Sequence, residues 1–262
     1  MLKATNLCCS ADNRQILADV DFTACPGEVT VIVGPNGSGK STLLKALSGE
    51  IAAMGEVVMN GARLSDLKPW QAAAMRAVLP QSSVLTFPFS VREVVRLGLS
   101  GGVSGLSRHD ADRLPERALE RVDLSGFGGR TYNQLSGGEQ QRVQLARVLC
   151  QVWAPILDGQ PRYLLLDEPI SSLDIRHQLL VMDIARDFAS GGGGVVAVLH
   201  DLNLAAMYAD SLAIVSAGRI VAQDAPAAAL SDGLVEAVFS CPLRLNLTPG
   251  AGMPFILPQS AR

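Results

Sequence analysis

Gly34-Pro35-Asn36-Gly37-Ser38-Gly39-Lys40-Ser41 has the spacing G-x-x-x-x-G-K-[ST], directly after an apolar run and at the start of a helical pattern, where that spacing has a mechanism. Glycines free backbone N–H groups to wrap β- and γ-phosphates, and the helix N-terminus adds partial positive charge. Lys40 supplies a point charge and the Ser41 hydroxyl suits Mg²⁺. With Thr42 at its end, the stretch reads as a triphosphate cradle. Leu164-Leu165-Leu166-Asp167-Glu168 places two carboxylates at the end of a second apolar run, where open α/β sheets bind ligands. Asp167 suits Mg²⁺, directly or through water, and Glu168 then faces the attacking water. A carboxylate with an ordinary pKa of about 4.3 is a weak base, so Glu168 is expected to orient and polarise that water unless the site raises its pKa.

His200 follows the apolar run Val195–Leu199 and precedes Asp201, a helix-capping type. Its imidazole is expected to donate to a γ-phosphate oxygen. Gln81 ends a short strand pattern, and its amide is placed to sense Mg²⁺ or the water. Ser136-Gly137-Gly138-Glu139, inside Leu135–Arg142, opens another helix and so forms a second anion-binding N-terminus. One chain with a single phosphate loop and a second such surface suggests a nucleotide held between two chains.

The elements that must position these residues follow from periodicity. Leu2–Ser10 and Ile16–Cys25 are β-type runs separated by the turn-like Ala11-Asp12-Asn13-Arg14, which predicts an antiparallel start. Glu28–Val33 predicts a strand, and Leu43, Leu44 and Leu47 share one face of a helix beginning at Lys40. Val57–Met59 before Asn60-Gly61 predicts a hairpin, and Arg76–Pro80 a strand. Helical spacing recurs over Val91–Leu97, Asp110–Val122 and Glu139–Leu149, with Gly/Ser-rich joints at Ser100–Ser107 and Ser125–Gly129. Tyr163–Leu166 and Val195–Leu199 read as strands buried on both faces, joined through a helix over Ile175–Phe188 and a flexible joint at Gly191–Gly194, a βαβ unit in a parallel sheet. Leu212–Ser216 and Arg219–Gln223 predict a hairpin about Ala217-Gly218, helical turns follow Pro226 and Ser231, and Cys241–Pro258 predicts a terminal hairpin. The fold class is α/β: a P-loop core with a mostly parallel sheet, an N-terminal antiparallel β region and an inserted helical subdomain. The whole of 1–262 is read as one unit, 1–80 and 151–262 forming the core and 81–150 the helical part.

Composition narrows the class. The 262 residues are 48% hydrophobic with a net charge of -3, too apolar and too weakly charged for disorder. A pI of about 5.6 gives no global reason to expect nucleic acid. Mean hydropathy is +0.25, yet no apolar run reaches the roughly 18 to 20 residues that cross a bilayer, so work at a membrane requires another chain to span it. The N-terminus lacks the basic start and apolar core of a signal peptide, so the chain is expected to stay in the cytosol. Cys8, Cys9, Cys25, Cys150 and Cys241 form no C-x-x-C pair and suggest neither a disulfide framework nor a zinc site.

The P-loop, Gln81, Leu135–Gln140, Leu164–Glu168, Ser172-Leu173-Asp174 and His200, in this order, resemble the ATP-binding cassette family of transport ATPases over essentially the whole chain. That resemblance implies ATP and Mg²⁺ as ligands, with Ser41, Gln81 and Asp167 at the metal and Glu168, His200 and Gln81 catalytic. It implies a head-to-tail homodimer in which Ser136–Glu139, the signature, closes on the partner's ATP and Asp174 lies at the seam. It further implies a two-copy membrane permease docked on the helical part. Three departures stand out: no aromatic residue in Ser10–Gln15 to stack adenine, which leaves Arg14 or weaker contacts; Ile170 after Asp-Glu-Pro; and a long connection from Gln151 to Arg162 containing Trp153. The connection and the C-terminal segment resemble importers of iron chelates, vitamin B12 and haem, above all the haem branch. This implies a periplasmic haem-binding protein as indirect partner and a place on the cytoplasmic face of the bacterial inner membrane. A ferric siderophore or vitamin B12 is the alternative cargo, and a soluble iron–sulfur assembly scaffold the alternative class.

Overall fold

The computed structural model describes residues 1–11, 14–83, 85–100, 108–250 and 252–261, without the side chains of Arg108 and His109. The expected turn at Asp12-Asn13 and most of the joint Ser100–Ser107 lie outside the described residues.

β1 (Leu2–Ala11) and β2 (Arg14–Ala24) pair antiparallel and bury alternate residues, among them Leu2, Ala4 and Leu7 on one strand and Val20, Phe22 and Ala24 on the other. β3 (Val29–Val33) is buried throughout and runs through the glycine loop into α1 (Lys40–Ser48), whose Leu43, Leu44 and Leu47 are buried. β4 (Met54–Met59) pairs with β1 and turns at Asn60-Gly61 into β5 (Ala62–Arg63), completing the antiparallel sheet in the order β2-β1-β4-β5. α2 (Pro69–Met75), with proline at its first turn, precedes β6 (Arg76–Leu79).

Three helices follow: α3 (Val91–Arg96), α4 (Arg108–Arg121) and α5 (Gly137–Gln151). α5 packs against α3, α4 and β6. Both α3 and α5 start with a capping box, Ser90 with Glu93 and Ser136 with Glu139. The connection from 151 to 162 is ordered: β7 (Ile156–Leu157) and β8 (Gln160–Pro161) form a small hairpin.

β9 (Tyr163–Asp167), α6 (Ile175–Ser190) and β10 (Gly194–Val198) form the predicted βαβ unit. α7 (Leu202–Tyr208), β11 (Ser211–Ser216), β12 (Arg219–Asp224), α8 (Pro226–Ala229) and α9 (Asp232–Phe239) follow. The main sheet has the order β12-β11-β3-β10-β9-β6, parallel except for β12.

The continuous apolar strands serve two cores. Val31, Val33, Leu164, Leu166, Val195 and Ala197 face a cluster shared with α3–α7, while Ile32, Leu165, Val196 and Val198 face α1 and the antiparallel sheet. Each Val, Ile or Leu among them, fully buried, contributes roughly 1.5–3 kcal/mol, and in β3 the apolar run is interrupted by the buried Thr30.

Two expectations are corrected. Gly191–Gly194 is a packed turn: a Cβ on Gly193 would lie 2.3 Å from the Phe188 ring and one on Gly194 2.4 Å from the Tyr163 ring, so these glycines are required by close approach. Among the described residues, 241–258 form no strands and, up to a 3₁₀ turn at Pro258–Ala261, are irregular. Pro242, Pro249 and Pro254 remove ladder donors, Asn246 adopts φ 56°, and Leu243, Leu245 and Leu247 stay exposed. The segment is tied to α9 by Leu245 N donating to Asp232 and by Arg244 pairing with Asp232 and Glu236, and just beyond it Gln259 donates to the Asn203 carbonyl.

Candidate nucleotide site

Four adjacent parallel strands deliver the site residues at their carboxyl ends. β3 leads to the glycine loop, β10 to His200, β9 to Asp167-Glu168 and β6 to Gln81.

Gly34 has φ 156°, and a Cβ there would meet the Val215 carbonyl at 2.1 Å; Gly39 caps α1 in the left-handed region at φ 105°. These two positions fold the loop back over the N-terminus of α1. Lys40 is 5% exposed and its Nζ donates to the carbonyls of Gly34 at 2.9 Å and Pro35 at 3.0 Å, so the ammonium lies across the loop. Burial pulls its pKa down, against the opposing pull of Glu168 and Asp167. The Ser38 hydroxyl is buried within the loop without a hydrogen-bond partner, a donor awaiting an acceptor.

Ser41 Oγ donates to Asp167 Oδ1 at 2.9 Å, joining the start of α1 to the end of β9. Burial raises the Asp167 pKa, the Ser41 bond works against that, and Glu168 reinforces it. Among the described residues no three His, Cys, Asp or Glu side chains gather around a metal position. A hydroxyl and one carboxylate are the donor set that Mg²⁺ uses when phosphate and water complete its octahedron.

Glu168 sits at φ 51°, a left-handed conformation uncommon for a non-glycine residue. Its carboxylate is 14% exposed and accepts from His200 Nε2 at 2.7 Å. His200, expected as a donor to a γ-phosphate oxygen, has its Nε2 on Glu168 in this structure. The Glu168 carbonyl accepts from Gln141 Nε2 at 2.9 Å and Ser171 Oγ at 3.2 Å, so α5 holds the strained residue. Asp201 caps α7 as expected, accepting from the N–H groups of Asn203 and Leu204.

The other sequence candidates lie apart from this cluster. Gln81 is exposed and lines a cavity of about 170 Å³ with Gly137, Gln140, Gln141 and Ser172; Ser41 and Asp167 are not in its wall. Ser136 donates through its N–H at 2.8 Å and its hydroxyl at 2.7 Å to Glu139 Oε2. The Ser136 side-chain bond, followed by its backbone bond, holds the Glu139 carboxyl below the ordinary range. A Cβ on Gly137 would meet nothing within 4 Å, whereas Gly138 lies against the Ser172 carbonyl. Asp174 caps α6 and is exposed.

A family profile described as ABC transporter matches residues 17–171. The chain belongs to the ABC transporter family. Among its relatives, the hemin import ATP-binding protein HmuV of Mesorhizobium japonicum is 61% identical over 261 residues, covering 100% of this chain and 99% of that protein. HmuV of Rhizobium meliloti is 56% identical over 262 residues, with 100% and 99% covered. Among solved structures, the dimeric MJ0796 bacterial ABC transporter cassette superposes with a TM-score of 0.73 at 26% identity, covering 86% of this chain and 99% of that one. The cassette fold expected from the motifs is therefore the fold of this ABC transporter ATPase.

Three residues of the cassette were not given a role by sequence. Gln141 and Arg142 fell within a recognised motif without a role, and His177, three residues after Asp174, carried only the spacing of a capped first turn as a signal.

Proposed function

We propose that this chain is the ATP-binding and ATP-hydrolysing subunit that energises haem import through a separate membrane permease. The observation that carries the reading is end-to-end identity of 61% with a hemin import ATP-binding protein. The geometry supports it with a phosphate loop, a Ser41–Asp167 pair and a Glu168–His200 pair at one sheet edge.

In this reading the loop amides, Lys40 and the Ser38 hydroxyl bind the β- and γ-phosphates. Ser41 and Asp167, with Gln81 joining in the closed state, would hold Mg²⁺, which would supply positive charge to the phosphate oxygens. Glu168 orients the water that attacks the γ-phosphorus, His200 holds the Glu168 carboxylate, and the bond to the β,γ-bridging oxygen breaks to release ADP and phosphate. The solved cassette named above is dimeric, which supports a two-fold dimer here, Ser136–Glu139 of each protomer facing the other's nucleotide and Asp174 at the seam. Among the described residues no helix is long and apolar enough to cross a membrane, in keeping with a permease of two further chains and a peripheral place on the cytoplasmic face of the inner membrane. A periplasmic haem-binding protein completes the system.

Reconstitution with the candidate permease and binding protein tests the reading. Haem is expected to stimulate ATPase activity and enter vesicles; uptake of a ferric siderophore or vitamin B12 instead would replace the cargo, and no permease-dependent transport would overturn the reading.

A further inference from the structure

The Asp174 cap is tied to more than its own helix. Its Oδ1 accepts from the His177 backbone N–H at 2.9 Å and from ring Nδ1 at 2.8 Å. The opposite ring nitrogen, Nε2, lies 3.3 Å from Oδ2 of Asp123, in the turn after α4. Each ring nitrogen therefore faces a carboxylate. The Asp123 turn is in turn gripped by α5: the buried Arg142 guanidinium donates to the Val122 carbonyl at 3.0 Å and the Asp123 carbonyl at 2.9 Å. Arg176 adds an ion pair of 3.0 Å to the Asp123 carboxylate.

These contacts close a circuit between two helices, α6 beginning at Asp174 and α5 beginning at Ser136. The His177 side chain is 16% exposed and Asp174 66%, so the aspartate faces outward and the ring stands behind it. The bonds from His177, backbone first, hold the Asp174 carboxyl below the ordinary range, which keeps the outward group ionised.

We propose that His177 is a positioning residue that fixes Asp174 to the signature helix through Asp123, so that the two surfaces a protomer offers its partner move as one body. The proposal rests on the two-fold reading above. A ring bonded at one end only would cap α6 and leave its tie to the α4–α5 turn to the exposed Arg176–Asp123 pair.

The test uses the full-length chain, with ATPase kinetics on each variant and ATP-dependent dimer formation in the Glu168→Gln background. His177→Ala is expected to leave the KM for ATP within about twofold, because the phosphate loop is untouched, and to lower kcat about tenfold through misplacement of the partner-facing groups. The dimer fraction falls with it. His177→Asn retains a donor for Asp174 and His177→Gln one with reach toward Asp123; neither spans both, so both are expected to stay well below wild-type kcat. Asp123→Gly removes the carboxylate while permitting the φ of 58° at that position, so it tests the bridge from its other end if the His177 variants do not fold. Its kcat loss is expected not to add to that of His177→Ala. Wild-type kcat in His177→Ala, or full rescue by His177→Asn, overturns the bridge, the second outcome reducing His177 to a helix cap. A Glu168→Gln chain that stays monomeric with Mg·ATP overturns the two-fold reading itself, and the bridge falls with it.

Discussion

Glu168 carries a left-handed backbone and a carboxylate bonded to His200, and both features are imposed from outside its own strand. Such strain costs of order 1–3 kcal/mol and persists only where neighbours over-determine it. Glu168→Gln keeps the shape and removes the negative oxygen proposed to orient water, so turnover is expected to fall by about 10² or more while ATP binding persists, measured by single-turnover hydrolysis and nucleotide titration. Lys40→Ala removes the charge lying across the phosphate loop; weakened ATP binding is the expected outcome, and unchanged binding and turnover would remove Lys40 from the phosphates. Lys40, Ser41, Asp167 and Glu168 were legible in the sequence because each lies in a short motif whose spacing has a local mechanism. Gln141 and His177 were not, because their decisive partners, Glu168 and Asp123, are 27 and 54 residues away and only tertiary packing brings them together.

Helices and strands obeyed periodicity where burial is continuous. The βαβ unit and the Ala217-Gly218 hairpin formed as their patterns required, because each apolar run has a core on both faces or a partner strand beside it. The terminal hairpin failed for the converse reason: alternating leucines define a strand only if something pairs with it, and Pro242, Pro249 and Pro254 deny that. The tetraglycine was misread as slack because composition does not reveal the rings of Phe188 and Tyr163 pressed against it. Gly194→Ala is therefore expected to destabilise the chain by about 1–3 kcal/mol through overpacking, seen as a lower melting temperature. At the start of α5, Glu139 has a folded pKa below its unfolded value, so its contribution to stability is full above the ordinary carboxylate range and is lost as pH falls through it. Glu139→Gln keeps an acceptor for Ser136 but cannot titrate. Melts between about pH 6 and about pH 3 are expected to show wild type losing its advantage over this variant, and parallel curves would refute the assignment.

At the scale of the molecule, the proposed two-fold dimer leaves each chain's site half built: on that reading the phosphate loop and the signature of one chain serve different nucleotides. That division predicts complementation between inactive chains. Gly137→Asp is accommodated within its own protomer, where nothing lies within 4 Å of the new Cβ, yet on the two-fold reading it puts negative charge where the partner's phosphate would sit. Mixed with Lys40→Ala chains, it forms heterodimers with one intact composite site, so the mixture is expected to hydrolyse ATP faster than either variant alone. No recovery would argue against shared sites. The sheet order has another consequence, for the chain as it leaves the ribosome. β3, which presents the phosphate loop, is flanked on both sides by β10 and β11, so its neighbours exist only after residues 194–216 have been made. A nascent chain stalled before that point holds β3 without either ladder, leaving the loop on an unpaired apolar strand exposed to chaperones and to aggregation. The nucleotide loop is translated well before either of the strands that flank the one presenting it.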